Sequence, residues 1–331
     1  VHGFEKLCVV KKILPHLSMD KEFVSRFIDE AKTAIRLSHG NIVQVFDVGV
    51  VNEDYYIAME YVEGEDLRTI LERCQERGWT IPVSIALFIV RELLEGISYA
   101  HRKTDERGQR LNLVHRDISP HNVIMAYEGQ IKVVDFGLAK STVASYRTNP
   151  QVRFGKISYM SPEQCRGGAV DERTDIYSTG VVLYELLVCD KLFPVRDQVK
   201  LMAQVSQGII PPLSPRAPHV PPVVVEIVMG ALQRQPQQRY QAAEEFQERI
   251  DGYLHVHHSG VGASDLAQFM DKLFHQQIDD KRMEHAQWLG AWLDDDEPSS
   301  SHSFVPPEIF EEFHSSPSGD ETNIIALPPG S

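Results

Sequence analysis

The chain has 331 residues, of which 33 are basic and 47 acidic, and its formal net charge at pH 7 is −14. This length allows one domain of roughly 250 residues with a sizeable core, together with an extension. Residues 259–331 hold 14 acidic and 3 basic side chains and therefore most of the net charge. So acidic a region argues against nucleic acid or an anionic membrane as its partner.

The sequence shows no membrane segment. No apolar run approaches the roughly 18 residues that a membrane-spanning helix needs, and the clear run Ile85–Val90 is far shorter. The cysteines are scattered without a C-x-x-C pair, which is typical of reduced thiols in a cytoplasmic protein. We therefore expect a cytoplasmic location. The four cysteines are Cys8, Cys74, Cys165 and Cys189.

The N-terminal third predicts strands around one amphipathic helix. A strand from Leu7 to Leu14 carries Lys11. Apolar residues then recur at helical spacing from about Asp20 to Leu37, a stretch that includes Glu30. A further strand runs from Tyr55 to Tyr61.

A polar string occupies residues 115–122, His-Arg-Asp-Ile-Ser-Pro-His-Asn, and Asp135-Phe136-Gly137 follows a predicted hairpin over residues 123–134. Asp117 can accept a proton from a hydroxyl group. Asn122 and Asp135 can hold Mg²⁺ against phosphate oxygens. Phosphoryl transfer needs mainly positioning and charge neutralisation, so these groups form a sufficient set for that chemistry.

Three further features follow in the C-terminal half. Ser161-Pro162-Glu163 precedes an apolar run from Asp175 to Cys189. Arg239 lies in the string Pro-Gln-Gln-Arg-Tyr. A last helix of this part is predicted from Ala242 to about His255.

These motifs, in this order, resemble those of bacterial, eukaryotic-like (Hanks-type) Ser/Thr protein kinases. The resemblance implies an α+β, two-lobed fold with a small β-rich N-lobe and a mainly helical C-lobe. It implies ATP and Mg²⁺ as donor and cofactor, and protein substrates. Asp117 would be the catalytic base, with Asn122 and Asp135 as the metal ligands. The string through Pro120 is similar to that of Ser/Thr rather than Tyr kinases.

The same resemblance implies the nucleotide contacts. Lys11 would bind the α and β phosphates and would be held by an ion pair with Glu30. The remaining expected contacts are the gatekeeper Met59, the hinge residues Glu60 and Val62, the adenine floor Ile124 and the ribose contact Asp66.

The resemblance also implies two supports for this site. Glu163 would pair with Arg239 and brace the substrate-side lobe. Residues 115–122 would be the catalytic loop. Asp175 would anchor this loop from below, and His115 is expected to be a packing residue of it.

Two positions depart from the family pattern. Ser119 stands two residues after Asp117, where Ser/Thr kinases usually have a lysine that contacts the γ-phosphate. Lys156 follows Gly155, where they usually have a threonine. One hypothesis is a swap, in which Lys156 supplies the cation and Ser119 the hydroxyl. The alternative is that Lys156 points to solvent, since an ammonium group is strongly hydrated.

No Gly-rich loop, which covers the ATP phosphates in kinases, precedes Lys11; Gly3 is present alone. We expect a fragment or a displaced start of a normal kinase, lacking its first strands; an intact degenerate kinase is the alternative. A pseudokinase that scaffolds partners is the competing function. A small-molecule kinase is a third, disfavoured by Ser161-Pro162-Glu163. The small lobe should have an open sheet edge, poor stability and weak ATP affinity.

Arg116 beside Asp117 suggests control by phosphorylation of the segment from Asp135 to Glu163, because a phosphate there can pair with the arginine. Self-phosphorylation is therefore a possible reaction of this chain. The candidate hydroxyls are Ser141, Thr142, Ser145, Tyr146 and Thr148.

The chain divides into three regions by pattern and composition. Residues 1–258 are the expected catalytic domain. A helical extension over 259–293 has an apolar stripe, which either packs on its own domain or docks a partner. Residues 294–331 are expected to be an acidic, disordered tail.

Overall fold

A computed structural model of the protein describes residues 6–13, 18–19, 21–51, 54–136, 156–195, 197–294 and 320–327. The strands are β1 (Lys6–Ile13), β2 (Val45–Val51), β3 (Asp54–Glu60), β4 (Gly64–Asp66), β5 (Val123–Ala126), β6 (Ile131–Val133) and β7 (Asp320–Leu327). The helices are α1 (Lys21–Ala34), α2 (Leu67–Arg77), α3 (Val83–Arg102), α4 (Pro162–Cys165), α5 (Arg173–Val188), α6 (Gln198–Gln207), α7 (Leu213–Arg216), α8 (Pro222–Ala231), α9 (Ala243–His257) and α10 (Ala263–Asp294). Single 3₁₀ turns lie at Pro120–Asn122 and Pro236–Gln238.

The N-terminal lobe is an antiparallel sheet with strand order β2-β3-β1-β7, and α1 packs against it. Side chains from α1, including Val24, Phe27 and Ala31, form one apolar cluster with Ile13 and Ile57 of the sheet. Their spacing along α1 is the helical period that the sequence shows, so burial of this face explains why the segment is a helix. The lobe therefore presents β1, with Lys11 on it, next to α1.

The C-terminal lobe is built around α3 and α5. Almost every side chain of α5 is buried, polar ones included, which is the pattern of a helix enclosed on all sides. Gly180 allows this packing because a Cβ there would lie 2.8 Å from the Ala231 Cβ of α8. The small sheet β4-β5-β6 belongs to this lobe, and the polar segment of residues 115–122 leads into β5.

The helical extension packs on its own domain, as the first of the two alternatives has it. Leu266, Met270 and Leu273 of α10 are fully buried in the main core. The start of α10 lies on the turn between β5 and β6, where Gly129 adopts φ +91° and a Cβ would collide with the Ala263 carbonyl. The helix is kinked at Phe274, whose φ is −128°.

The C-terminal tail departs from the sequence prediction. Residues 320–327 form β7, antiparallel to β1, with Lys6 opposite Leu327 and Ile13 opposite Asp320. Disorder is therefore the wrong prediction for these eight residues, and in the described structure this edge of β1 is not open. The physical reason is that unpaired backbone N–H and C=O groups at a sheet edge can pair with the backbone of an extended segment.

None of the helices in the described part of the chain combines the length and the apolar character that crossing a membrane requires.

Candidate active site

The catalytic loop is held from below by Asp175, the buried third residue of α5. Its two carboxylate oxygens accept hydrogen bonds from the backbone N–H groups of His115 (2.8 Å) and Arg116 (2.7 Å). His101 Nε2 lies 2.8 Å from the same carboxylate. Burial alone would raise the pKa of Asp175, but the hydrogen bonds with His101 and the Arg116 backbone help to hold that pKa below its ordinary value. A buried, charged acceptor thus fixes the backbone of the loop.

The loop backbone is strained where it turns towards Asp117. Arg116 has φ 67°, a left-handed value that is uncommon for a residue with a side chain. His115 is fully buried, packs edge-on against Phe136 at 4.6 Å and lies 3.0 Å from the Val134 carbonyl through Nε2. His115 is therefore in the packing position that the sequence predicts.

Asp117 faces two hydrogen-bond donors. Lys156 Nζ lies 2.6 Å from Asp117 Oδ2, and Asn122 Nδ2 lies 3.1 Å from the same oxygen. Asn122 also donates to the Asp117 backbone carbonyl at 2.7 Å. Ser119 is buried at the start of the 3₁₀ turn that carries Asn122. The structure thus brings the expected base, one expected metal ligand and Lys156 together.

Lys11 and Asp135 meet across the cleft between the lobes. Lys11 is 3% exposed, and its Nζ lies 3.2 and 3.3 Å from the two oxygens of Asp135. Asp135 follows β6 with φ 60°, a second left-handed residue in the site. Glu30 lies on α1, but its side chain is outside the described part of the structure, so the expected Lys11–Glu30 ion pair stays a prediction.

The connection between the lobes contains the expected adenine contacts. Glu60 ends β3, and Val62 lies in the irregular segment that follows. The Glu60 N–H donates to the Gln44 carbonyl (2.8 Å), and its carboxylate pairs with Lys132 Nζ at 2.9 Å. Because Lys132 is buried on β6, this pair ties the connection to the lower lobe.

The remaining predicted nucleotide residues lie around this connection. Met59 on β3 lines a pocket with residues of α1, β2 and Phe136. Ile124 on β5 is the register partner of Asp66 on β4. Asp66 is also the N-cap of α2, where its Oδ1 accepts two backbone N–H groups at 2.8 and 3.0 Å. Its side chain is 33% exposed, and its Oδ1 lies 4.0 Å from His121 Nδ1. The expected ribose contact of Asp66 stays a prediction.

The expected brace in the lower lobe is present. Arg239 donates to both oxygens of Glu163 at 2.7 Å, and its side chain is fully buried. Burial alone would raise the pKa of Glu163, but the hydrogen bonds and charge of Arg239 hold it below its ordinary value. Gln164, next in sequence, donates to the Arg116 carbonyl at 3.0 Å. The brace therefore connects to the catalytic loop.

Sequence reasoning missed two residues of the site. His101 lies on α3 and Lys132 on β6, and both contact expected site residues from a distance in sequence. The sequence offers one signal for His101 and for Lys132, which is that each is a polar residue within an apolar segment. The candidate phosphorylation sites at residues 141–148 lie outside the described residues.

The polar groups in the cleft fit Mg²⁺ with nucleotide phosphates. Asp135 offers carboxylate oxygens, and Asn122 offers an amide oxygen because its amide nitrogen is committed to Asp117. In sites that hold substrate phosphates, Mg²⁺ typically binds only a few oxygen atoms of the protein. The buried ammonium of Lys11 next to Asp135 suits the phosphate oxygens themselves.

Comparison with known proteins agrees with this geometry. The family model of the protein kinase domain matches residues 2–250. The tyrosine-protein kinase MasK of Myxococcus xanthus is 39% identical over 275 residues, which are 83% of this chain and 43% of that protein. The serine/threonine-protein kinase PrkC of Bacillus subtilis is 37% identical over 231 residues, or 70% of this chain and 34% of that protein. A crystal structure of the Mycobacterium tuberculosis PknI kinase domain matches with a TM-score of 0.57 and 27% identity, over 75% of this chain and 85% of that one.

The chain therefore belongs to the protein kinase domain family, and the two-lobed kinase fold expected from the sequence is confirmed. Members of this family transfer a phosphoryl group from ATP with Mg²⁺ as cofactor. The chain spans 43% and 34% of the lengths of the first two curated relatives.

Proposed function

We propose that this chain is a Ser/Thr protein kinase, which transfers the γ-phosphoryl group of Mg-ATP to hydroxyl groups of proteins. The observation that carries the proposal is the convergence of Asp117, Asn122, Lys156, Lys11 and Asp135 at one cleft. We assign the activity to residues 1–258, with 259–293 as a helical extension. Because these charged and polar side chains are all present, a role as a scaffold without phosphoryl transfer is disfavoured.

The residues divide the reaction between them. Mg²⁺, held by Asp135 and Asn122, would neutralise charge on the phosphate oxygens. Lys11 binds the α and β phosphates. Asp117 orients the substrate hydroxyl, whose oxygen forms the new bond to the γ-phosphorus. The bond to the oxygen that bridges the β and γ phosphorus atoms breaks, its electron pair leaves with ADP, and Asp117 accepts the hydroxyl proton.

The acceptor is proposed to be serine or threonine because the string through Pro120 is similar to that of Ser/Thr kinases, and PrkC carries that name. MasK is named a tyrosine kinase, so the acceptor must be identified directly. We also propose self-phosphorylation between residues 135 and 163, since Arg116 lies beside Asp117. We propose a cytoplasmic site of action, in keeping with four cysteines that form no disulfide bond in the described structure.

Transfer of labelled γ-phosphate from Mg-ATP to the chain and to a generic protein substrate tests this function. Acid hydrolysis of the product should give phosphoserine or phosphothreonine. Asp135→Asn should abolish transfer, whereas Asp279→Asn, an exposed carboxylate on α10, should not change it. Phosphotyrosine as the main product would overturn the proposed acceptor, and undiminished transfer by Asp135→Asn would overturn the proposed site.

Mass spectrometry of the protein after incubation with Mg-ATP tests the self-phosphorylation. Phosphate on at least one hydroxyl between residues 135 and 163 is expected. A fully unmodified segment in a sample that phosphorylates the generic substrate would contradict it.

A further inference from the structure

Lys156 docks on the catalytic carboxylate and does not extend into solvent. Its Nζ lies 2.6 Å from Asp117 Oδ2, and the two side chains are 24% and 12% exposed. The two residues are 39 positions apart in sequence, so the contact depends on the fold of the segment before α4. An ammonium group surrenders hydration to make such a contact, and here its partner is the carboxylate assigned as the catalytic base.

The neighbourhood of Asp117 has a particular arrangement of charge. Ser119, two residues on, brings a buried hydroxyl and no cation. Lys11, on the other side of the cleft, forms an ion pair with Asp135. Lys156 is therefore the ammonium that the described structure places directly on the base. The phosphoryl group must arrive at this point, since the base must reach the hydroxyl that attacks it.

We propose that Lys156 is a catalytic residue that binds a γ-phosphate oxygen during transfer. This inference rests on the proposed function and adds a contact to the same site. An ammonium group has three donors in a tetrahedral array. One donor can stay on Asp117 while another reaches the phosphate oxygen, so Lys156 links the base to the group being transferred. The charge on the phosphoryl oxygens is neutralised next to the atom that accepts the proton.

The expected size of the effect follows from comparable sites. Loss of one preorganised donor to a developing oxyanion costs about 10²–10³-fold in kcat. Loss of one hydrogen bond to a charged group costs about 1.5–3 kcal/mol, which corresponds to roughly ten- to hundredfold in affinity. The affinity loss must be specific to ATP, because ADP has no γ-phosphate.

The test measures the dissociation constants of Mg-ATP and Mg-ADP, together with kcat, for wild type, Lys156→Met and Lys156→Arg. Lys156→Met should bind ATP at least about tenfold more weakly, bind ADP like wild type, and lose about 10²-fold in kcat. Lys156→Arg retains the positive charge and should recover part of both losses. Lys200→Met, an exposed lysine on α6, is the matched control and should behave as wild type.

A double variant tests whether the cation can come from the other position. Ser119→Lys combined with Lys156→Thr should recover most of the ATP-specific affinity that Lys156→Thr loses. Thermal melting of each variant separates these effects from a loss of folding. If Lys156 had a purely structural role, the double variant would not restore the affinity for ATP.

The outcomes separate this inference from the proposed function. If wild type transfers no phosphate but Lys156→Met still weakens ATP and spares ADP, the function fails and the γ-phosphate contact stands. If wild type is an active kinase and Lys156→Met keeps full kcat, or loses ATP and ADP affinity equally, the inference is overturned. Equal binding of ATP by wild type and Lys156→Met overturns it as well.

Discussion

The ion pair between Glu163 and Arg239 leads to a quantitative stability prediction. The Arg239 guanidinium is fully buried and donates to both Glu163 oxygens at 2.7 Å. It also donates to the backbone carbonyls of Gln233 (2.7 Å) and Arg173 (3.0 Å). Arg239→Met removes all of these hydrogen bonds and leaves the Glu163 carboxylate, 12% exposed, without its charge partner.

The magnitude follows from that burial. Removing one partner of a buried ion pair typically costs about 3–5 kcal/mol, because the remaining charge is left uncompensated. Unfolding of a whole domain takes about 5–15 kcal/mol, so the loss should be evident in urea unfolding followed by far-UV circular dichroism. Glu163→Gln combined with Arg239→Met should lose less than the sum of the two single variants, because no buried charge remains.

The control is an arginine of the same region in an exposed pair. Arg173 pairs with Asp171, whose side chain is 52% exposed, so Arg173→Met should cost no more than about 1 kcal/mol. An Arg239→Met variant that loses no more free energy of unfolding than Arg173→Met would refute the reasoning.

Three further predictions concern the loop, the pH dependence and the extension. Asp175→Asn should lower the free energy of unfolding by about 1.5–3 kcal/mol, since hydrogen bonds to a charged acceptor are weakened; an unchanged urea midpoint would contradict this. Because the pKa of Glu163 is lowered by folding, its contribution to stability is present above its ordinary pKa of about 4.3 and is lost as the pH falls through the folded value. Glu163→Gln should flatten that part of an acid titration, and an unaltered profile would count against it. Lys281 of α10 pairs with Glu65 of β4 at 2.9 Å, beside the interlobe connection, so Lys281→Ala should raise KM for ATP about two- to fivefold with little change in kcat. The exposed Lys272→Ala should leave KM unchanged, and equal effects of the two variants would argue against a role for the pair.

Elements with strong local patterns could be predicted from the sequence. The helix expected over about Asp20–Leu37 is observed at Lys21–Ala34, because one face of it is apolar at helical spacing and that face is buried. The strand expected over Tyr55–Tyr61 is observed at Asp54–Glu60. The site residues of the catalytic loop could be found because they lie close together in sequence and in a recognisable order.

Contacts between distant segments could not be predicted in the same way. A histidine such as His101 within an apolar helix has the same local pattern whether or not an aspartate lies opposite it. The pairing of β7 with β1 depends on backbone groups, which every residue carries, so composition alone indicated disorder instead. The sequence leaves open whether Lys156 docks on Asp117 or points to solvent, because spacing does not say whether a long side chain turns inward or outward.

The most direct test of the central claim is phosphoryl transfer by Asp117→Asn. The variant keeps the size of the side chain but cannot act as the base, so kcat should fall by about 10²–10⁴-fold while Mg-ATP still binds and the melting temperature stays within a few degrees of wild type. Transfer at the wild-type rate by a folded Asp117→Asn protein would contradict the account, because no other described residue is assigned to accept the hydroxyl proton.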